Sequence, residues 1–249
     1  MKIGIIGFGN LGRALASGLI KSGHGGALYV CETAQDKRDA ARGAPFHAHV
    51  SEDVNFVIEN SDILFLVVKS YVFEEMVGLI DKNALIGKTV VSFMAGVTLE
   101  DLHALVGKAT SVVAIPSLAI SECDGVIGYT KAPAEVTDIF NKLGHAIETA
   151  PEDIAKVMAF ASCGLGFAAY LIDAFAAAGQ TMGFCPEDCG RIAALTFKSA
   201  VERGAPFRDT VKAVATPGGI TEQGLLYFDE CGVYDIVAQA MRKAYERVL

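Results

Sequence analysis

Near the N-terminus Gly7-Phe8-Gly9-Asn10-Leu11-Gly12 sets three glycines in the spacing G-x-G-x-x-G, directly after the apolar run Lys2–Ile6 and before the amphipathic run Ala14–Lys21. A strand that feeds such a turn into a helix is an anion-binding device. The first glycine permits a tight turn, the second lets backbone approach a pyrophosphate, and the third lets helix and strand pack closely. The helix N-terminus adds amide donors and a positive dipole end. Gly7, Phe8, Gly9, Asn10, Leu11 and Gly12 are therefore candidate cofactor-binding residues for a dinucleotide. The next apolar run, Leu28–Cys31, ends at Glu32, 20 residues beyond Gly12. An acidic side chain there binds the adenosine ribose hydroxyls and repels a 2′-phosphate, which favours NAD over NADP. Lys37 and Arg38 follow closely enough to modify that preference, and the plainer role of Glu32 is to cap a helix that begins near Ala34.

A second stretch with chemical potential is Thr216-Pro217-Gly218-Gly219-Ile220-Thr221. Two glycines leave the backbone exposed, and Thr221 is expected to cap a new helix whose first amides point outward, an arrangement that binds a carboxylate. The Thr221 hydroxyl can hydrogen-bond an imine or amine nitrogen. The plainer alternative is a tight inter-helix turn with an ordinary cap. The five histidines show no metal-ligand spacing, with His47 and His49 at most sharing one face of an edge strand, so no metal site is expected. Six cysteines without a C-x-x-C pair read as reduced thiols, and Cys185 and Cys189 read as packed thiols at helical spacing.

The elements that must position these residues follow from periodicity. With 249 residues, 52% apolar and 20% charged, the chain can bury a large core, and a net charge of −8 argues against nucleic acid or an anionic membrane as partner. No basic, apolar leader of signal-peptide length precedes the first strand, so the expected location is cytoplasmic. Strands are predicted at Lys2–Ile6, Leu28–Cys31, Ile63–Val67, Thr89–Phe93, Ser111–Ile115, Gly125–Tyr129 and Ala146–Glu148, alternating with helices. That alternation predicts an α/β fold with a parallel sheet, a Rossmann-type dinucleotide-binding domain over residues 1–150. From Thr149-Ala150-Pro151-Glu152, which reads as a capping box, the remaining residues 151–249 read as all-helical, beginning with one long helix over Glu152–Gly179. Met158–Ile172 carries no charge but is too short to span a bilayer. It is expected to be buried inside the monomer or between subunits, and it predicts a homodimer or larger homo-oligomer.

Several stretches together resemble the pyrroline-5-carboxylate reductase family over essentially the whole chain. Leu66-Val67-Val68-Lys69 resembles that family's strand-end A-V-K-P, with Ser70 in place of the proline. Ser92-Phe93-Met94-Ala95-Gly96-Val97-Thr98 resembles its S-x-x-A-G-[IV]-T segment, and Thr216–Thr221 followed by Gly224-Leu225 resembles its [ST]-P-G-G-x-T loop. The resemblance implies that Val67, Val68, Lys69 and Ala95 lie along the cofactor. It implies that Thr216, Gly218, Gly219, Ile220, Ser162 and Cys163 bind substrate, with Thr221 as the catalytic hydrogen-bond donor. It also implies an all-helical C-terminal dimerisation domain, a pocket between subunits, and reduction by NADH or NADPH of a cyclic imine, pyrroline-5-carboxylate, to L-proline. Two departures concern the substrate. Val113-Ala114-Ile115-Pro116-Ser117-Leu118-Ala119 lacks the arginine, asparagine and second proline of the family's segment, and Ala161–Phe167 lacks two serines and a proline in register. The altered pocket leaves open a related reductase of another imine or oxo acid, or a non-catalytic dinucleotide-sensing protein. The 3-hydroxyacid dehydrogenases fit less well, because no lysine lies between Val157 and Gly179.

Overall fold

The computed structural model describes residues 1–204 and 206–248, apart from the side chains of residues 73 and 74. An eight-stranded sheet dominates its first half: β1 (Ile3–Ile6), β2 (Leu28–Cys31), β3 (His49–Ser51), β4 (Ile63–Leu66), β5 (Thr89–Ser92), β6 (Thr110–Pro116), β7 (Gly125–Tyr129) and β8 (Gly144–Glu148). Spatial order is β3-β2-β1-β4-β5-β6-β7-β8, parallel from β3 to β6, with β7 antiparallel to β6 and parallel to β8. The sheet is thus of Rossmann type, and its order reverses between β1 and β4, which puts a crevice at the carboxyl ends of those two strands.

Alternation along the strands builds a core on each face. Ile3, Ile5, Ile63 and Phe65 pack with Leu15 and Leu19 of α1 (Asn10–Lys21) and with Val136 and Phe140 of α6 (Ala134–Leu143). Ile6, Leu64, Leu66 and Val90 point to the other face, against Val57 and Ile58 of α3 (Val54–Glu59) and Leu102 and Val106 of α5 (Leu99–Val106). Two more helices follow sheet strands, α2 (Gln35–Arg42) after β2 and α4 (Ser70–Val77) after β4.

Three expectations need correction. Strand β3 is missing from the strands that periodicity predicts, although an edge strand is allowed for at His47 and His49: His49-Val50-Ser51 is short and half polar and is held at the sheet edge by pairing with β2. His47 lies outside that strand at φ 47°, so His47 and His49 do not share a strand face. Thr149–Glu152 forms no capping box. The Thr149 amide instead extends the ladder to the Tyr129 carbonyl at 2.9 Å, and Ala150, with no side-chain cap, precedes a 3-10 turn at Pro151–Asp153. The expected long helix is present and runs without interruption over Pro151–Thr181, with a π turn at Met158–Ser162 between α7 (Ile154–Val157) and α8 (Cys163–Thr181).

The chain forms two compact units, one comprising Met1–Cys163 and the chain from Tyr245 on, the other Gly164–Ala244. The second is helical throughout its regular structure: nearly all of α8, then α9 (Pro186–Glu202), α10 (Phe207–Val214), α11 (Ile220–Glu230) and most of α12 (Val233–Glu246). Among the described residues of that unit only Cys189 and Ala193 are fully buried apolar side chains, while Tyr170, Phe175, Leu195 and Phe228 are exposed. Pro151–Thr181 is long and apolar enough to cross a membrane by length and composition, and only 11% of its most apolar window is buried. Burial of this helix within the single chain is therefore not observed. Large exposed apolar patches commonly mark protein–protein interfaces.

The glycines that permit close packing separate by what they face. A Cβ on Gly18 would stand 2.1 Å from the Ile120 carbonyl oxygen, whereas one on Gly78, at φ −65°, would meet nothing within 4 Å. Gly18→Ala is expected to destabilise by about 2 kcal/mol or more, as overpacking against backbone does. Gly78→Ala should be neutral or stabilise by up to ~1 kcal/mol. Urea midpoints of the two variants check this, and equal midpoints would contradict it.

Candidate functional site

The phosphate loop is built as its glycines require. Gly7 sits at φ 100°, a conformation that side chains avoid, and a Cβ there would lie 2.7 Å from the Val67 carbonyl oxygen and 2.8 Å from a Val68 methyl. A Cβ on Gly12 would come within 2.2 Å of the Gly7 carbonyl oxygen, so α1 starts with its backbone against the end of β1. Gly9 has no atom within 4 Å of its would-be Cβ, which leaves the approach to the loop open. The first bond of α1 runs from the Arg13 amide to the Gly9 carbonyl at 2.9 Å. The amides of Asn10, Leu11 and Gly12 precede it and remain for an anion. The loop thus fits a dinucleotide pyrophosphate, with Asn10 exposed at its rim and the Phe8 side chain fully buried against Phe46.

Glu32 does more than either expectation stated. Its Oε2 accepts from the Phe8 amide at 2.9 Å, and its Oε1 accepts from the Thr33 and Ala34 amides at 2.9 and 3.0 Å. The carboxylate therefore ties the phosphate loop to the turn entering α2, whose N-cap is Ala34. Its side chain is only 10% exposed and stands 3.9 Å from Lys37 Nζ. Arg38, mentioned in sequence only as a neighbouring cation, is nearly buried. Its guanidinium bonds the Glu32 and Thr33 carbonyls and Gln35 Oε1 and forms an ion pair with Glu52 at 2.7 Å. Of the two cations only Lys37 faces the acid with charge to spare. Cys31, just before Glu32, is pushed up to about 11 by burial, reinforced by the charges of Glu32, Asp53 and Glu52, and stays a protonated thiol.

Val67 closes the crevice from β4, its amide bonded to the Ile6 carbonyl at 2.8 Å, and exposed Lys69 is the N-cap of α4. At the end of β5, buried Ser92 Oγ accepts from the Met94 amide at 3.2 Å, which turns the chain so that Ala95 and Gly96 are exposed, Gly96 at φ 77°. Thr98 closes this segment as the N-cap of α5, in a reciprocal capping box with Asp101. The Thr98 bonds hold the Asp101 carboxyl below the usual carboxylate range. Strand β6 ends at Pro116, whose carbonyl accepts from Ser162 Oγ at 3.0 Å. That hydroxyl is thereby oriented by the π turn, and half-buried Cys163 follows it. Buried Ser117, not singled out in sequence, bonds the Val126 amide through its Oγ at 3.1 Å.

In the helical unit Gly218 adopts φ 71°, and the Gly219 amide turns back to the Thr216 carbonyl at 2.8 Å. Gly219, not Thr221, is the N-cap of α11, which corrects the expected cap. Thr221 lies in the first turn with its side chain exposed, free of any capping bond. The residue missed in sequence is Glu222, whose Oε2 accepts from the Gly218 amide at 2.7 Å. An acidic residue in the first turn after a glycine cap was the available signal.

Two family models match separate parts of the chain: one described as pyrroline-5-carboxylate reductase dimerisation matches residues 151–249, and one described as NADP oxidoreductase, coenzyme F420-dependent, matches residues 2–96. The chain is 28% identical to the pyrroline-5-carboxylate reductase of Aquifex aeolicus over 262 residues, covering 99% of this chain and 96% of that one. Identity to the Escherichia coli pyrroline-5-carboxylate reductase is also 28%, over 260 residues with the same coverage. Among solved structures, a Plasmodium falciparum pyrroline carboxylate reductase with NADP bound superposes with a TM-score of 0.89 at 22% identity, covering 100% of this chain and 97% of that one. The Streptococcus pyogenes 1-pyrroline-5-carboxylate reductase gives 0.88 at 22% identity, with 100% and 98% covered.

Glu32→Ala is expected to destabilise the protein by on the order of 2 kcal/mol without any ligand, because three backbone amides lose one charged acceptor. Glu32→Gln should recover about half of that. Thermal melts of the two variants test this, and an unchanged melting temperature for alanine would show that water replaces the carboxylate at no cost.

Proposed function

The chain belongs to the pyrroline-5-carboxylate reductase family, and on that premise we propose that it reduces pyrroline-5-carboxylate to L-proline, a step of amino-acid biosynthesis, with a nicotinamide dinucleotide as reductant. The single observation that carries the reading from fold to site is the open approach to Gly9 beside the unspent amides of Asn10, Leu11 and Gly12, a cradle shaped for a pyrophosphate. When bound, the nicotinamide supplies the hydride, and the protein supplies orientation, charge complementarity and exclusion of water.

Around that chemistry the chain's own residues take these roles. Asn10, Leu11 and Gly12 hold the pyrophosphate by their amides, Val67, Val68 and Lys69 line the crevice at the end of β4, and Ala95 borders it at the end of β5. Glu32 orders the Phe8 amide and presents its remaining lone pairs to the adenosine ribose, so NAD(H) is preferred over NADP(H). The amides of Gly218, Gly219, Ile220 and Thr221 form the loop that takes the substrate carboxylate, with Thr216 shaping its turn. Ser162 and Cys163 contribute to the substrate side. The Thr221 hydroxyl is too weak an acid to serve as a free proton source, so it hydrogen-bonds the nitrogen of an already protonated iminium and orients it. The exposed apolar face of the helical unit fits a homodimer or larger homo-oligomer. A cytoplasmic location, without nucleic acid or membrane as partner, belongs to the same reading.

Two measurements test it. Fluorescence titration should show NADH binding more tightly than NADPH, and Glu32→Ser should narrow the gap. A carboxylate ~5 Å from a 2′-phosphate at an effective dielectric of ~20 costs on the order of 3 kcal/mol per unit charge before screening. Tenfold tighter NADPH binding by the wild type would sink this preference. Second, Thr221→Ala should lose about 10- to 1,000-fold in kcat on pyrroline-5-carboxylate with nearly unchanged NADH affinity, and Thr221→Ser should restore most of it. Full turnover by the alanine variant would remove Thr221 from the mechanism.

A further inference from the structure

The loop between α10 and α11 already binds a carboxylate, and that carboxylate belongs to the chain itself. Glu222 Oε2 takes the Gly218 amide at 2.7 Å, while the Gly219 amide is committed to the Thr216 carbonyl at 2.8 Å. The second commitment is fixed by close packing, since a Cβ on Gly219 would lie 2.5 Å from Thr216 Oγ1 and 2.8 Å from the Thr216 carbonyl oxygen. Of the four amides from Gly218 to Thr221, only those of Ile220 and Thr221 are left ahead of the first α11 bond, from the Gln223 amide to the Gly219 carbonyl at 3.4 Å. No lysine or arginine lies between Thr216 and Gly224, so the only charge on the loop is the negative charge of Glu222. An anion arriving here must displace that carboxylate from Gly218 or settle beside it, and both routes weaken binding. A ring without a carboxylate meets neither obstacle.

We propose that Glu222 is a specificity-determining residue whose carboxylate competes with the carboxylate of the incoming imine for the Gly218 amide. It raises KM for carboxylate-bearing rings and leaves KM for rings without a carboxylate unaffected. The proposal rests on the reading of this loop as the substrate-carboxylate site. It predicts selectivity weaker than the loop could deliver, because part of its binding capacity is spent on an internal ligand.

The test compares wild type with Glu222→Gln, which keeps an acceptor for Gly218 without the charge, and with Glu222→Ala, which removes both. KM is measured for pyrroline-5-carboxylate and for 1-pyrroline, the same ring without the carboxylate. In parallel, calorimetry measures binding of cyclopentanecarboxylate and of cyclopentylmethanol to the NADH-loaded protein. The expected result is a fall of about 3- to 10-fold in the KM of the carboxylate substrate and in the Kd of cyclopentanecarboxylate for both variants, the range set by one exchanged hydrogen bond. Values for the two compounds without a carboxylate should stay within twofold. Parallel shifts for compounds with and without a carboxylate, or weaker carboxylate binding by the variants, would overturn the proposal, the second outcome making Glu222 a favourable contact to the iminium instead. Failure of cyclopentanecarboxylate to bind any of the three proteins would overturn it as well. Absence of turnover by the wild type on either imine counts against the reductase reading alone, since calorimetry still decides the role of Glu222.

Discussion

The close approach of two backbones at the first turn governs much of this molecule. The Gly7 carbonyl oxygen lies 2.2 Å from where a Cβ on Gly12 would be, and Gly7 itself leaves no room beneath Val67. Because neither residue has a side chain, α1 begins directly at the end of β1, and its first amides sit at the crevice between β1 and β4 where the strand order reverses. The same helix then lies against the Ile120 carbonyl through Gly18, so both its ends are fixed by glycine contacts. Glu32 completes the arrangement by binding the Phe8 amide across from β2. The cradle is held by covalent geometry and packing before any ligand arrives, and a preformed site loses less entropy on binding.

The two units differ in how they achieve stability. The sheet-containing unit buries a core on each face, with Phe8, Phe65 and Phe140 fully enclosed. In the helical unit, Cys189 and Ala193 are the only fully buried apolar side chains among the described residues, and the T-shaped pair Phe175–Phe197 is one of its few aromatic contacts. A layer of helices with so little enclosed apolar surface would gain stability from a partner covering its exposed face, and folding would then be coupled to protomer concentration. This is consistent with the dimerisation model matched over residues 151–249.

The fold was legible in the sequence where periodicity and glycine spacing agree. Strands β2 and β7 fall on the expected residues and α1 contains the expected amphipathic run Ala14–Lys21, because apolar runs of strand length alternate there with amphipathic runs closed by strong turn residues. What escaped was set by tertiary context. His49-Val50-Ser51 has no strand pattern of its own and exists because β2 offers an open edge. The π turn at Met158–Ser162 sits in a uniformly apolar stretch with no local signal for an extra residue per turn, and Ser162 anchors it to the Pro116 carbonyl. Caps were the least legible feature. Threonine was expected to cap at 149 and at 221. The ladder claims Thr149, and the glycine pair moves the start of α11 two residues earlier. The glycines of both loops were visible from spacing alone, whereas the carboxylates that occupy their amides, Glu32 with three partners and Glu222 with one, required the folded backbone.

Those two carboxylates show how one chemical device yields opposite behaviour. Glu32 is 90% withdrawn from solvent and shares its charge among three amides, so removing it from any one of them leaves the other two to hold it. A ligand therefore meets Glu32 as a fixed surface, and a 2′-phosphate must tolerate it or stay out. Glu222 is held to Gly218 by a single exposed bond in the first turn of a helix, where water or another carboxylate can take its place at little net cost. Burial and bond count, rather than residue type, decide that the first is part of the site's architecture and the second is an exchangeable occupant. On the proposed function, selectivity at the dinucleotide end would be rigid and electrostatic, while at the glycine-pair loop it would be a competition between two carboxylates for one amide.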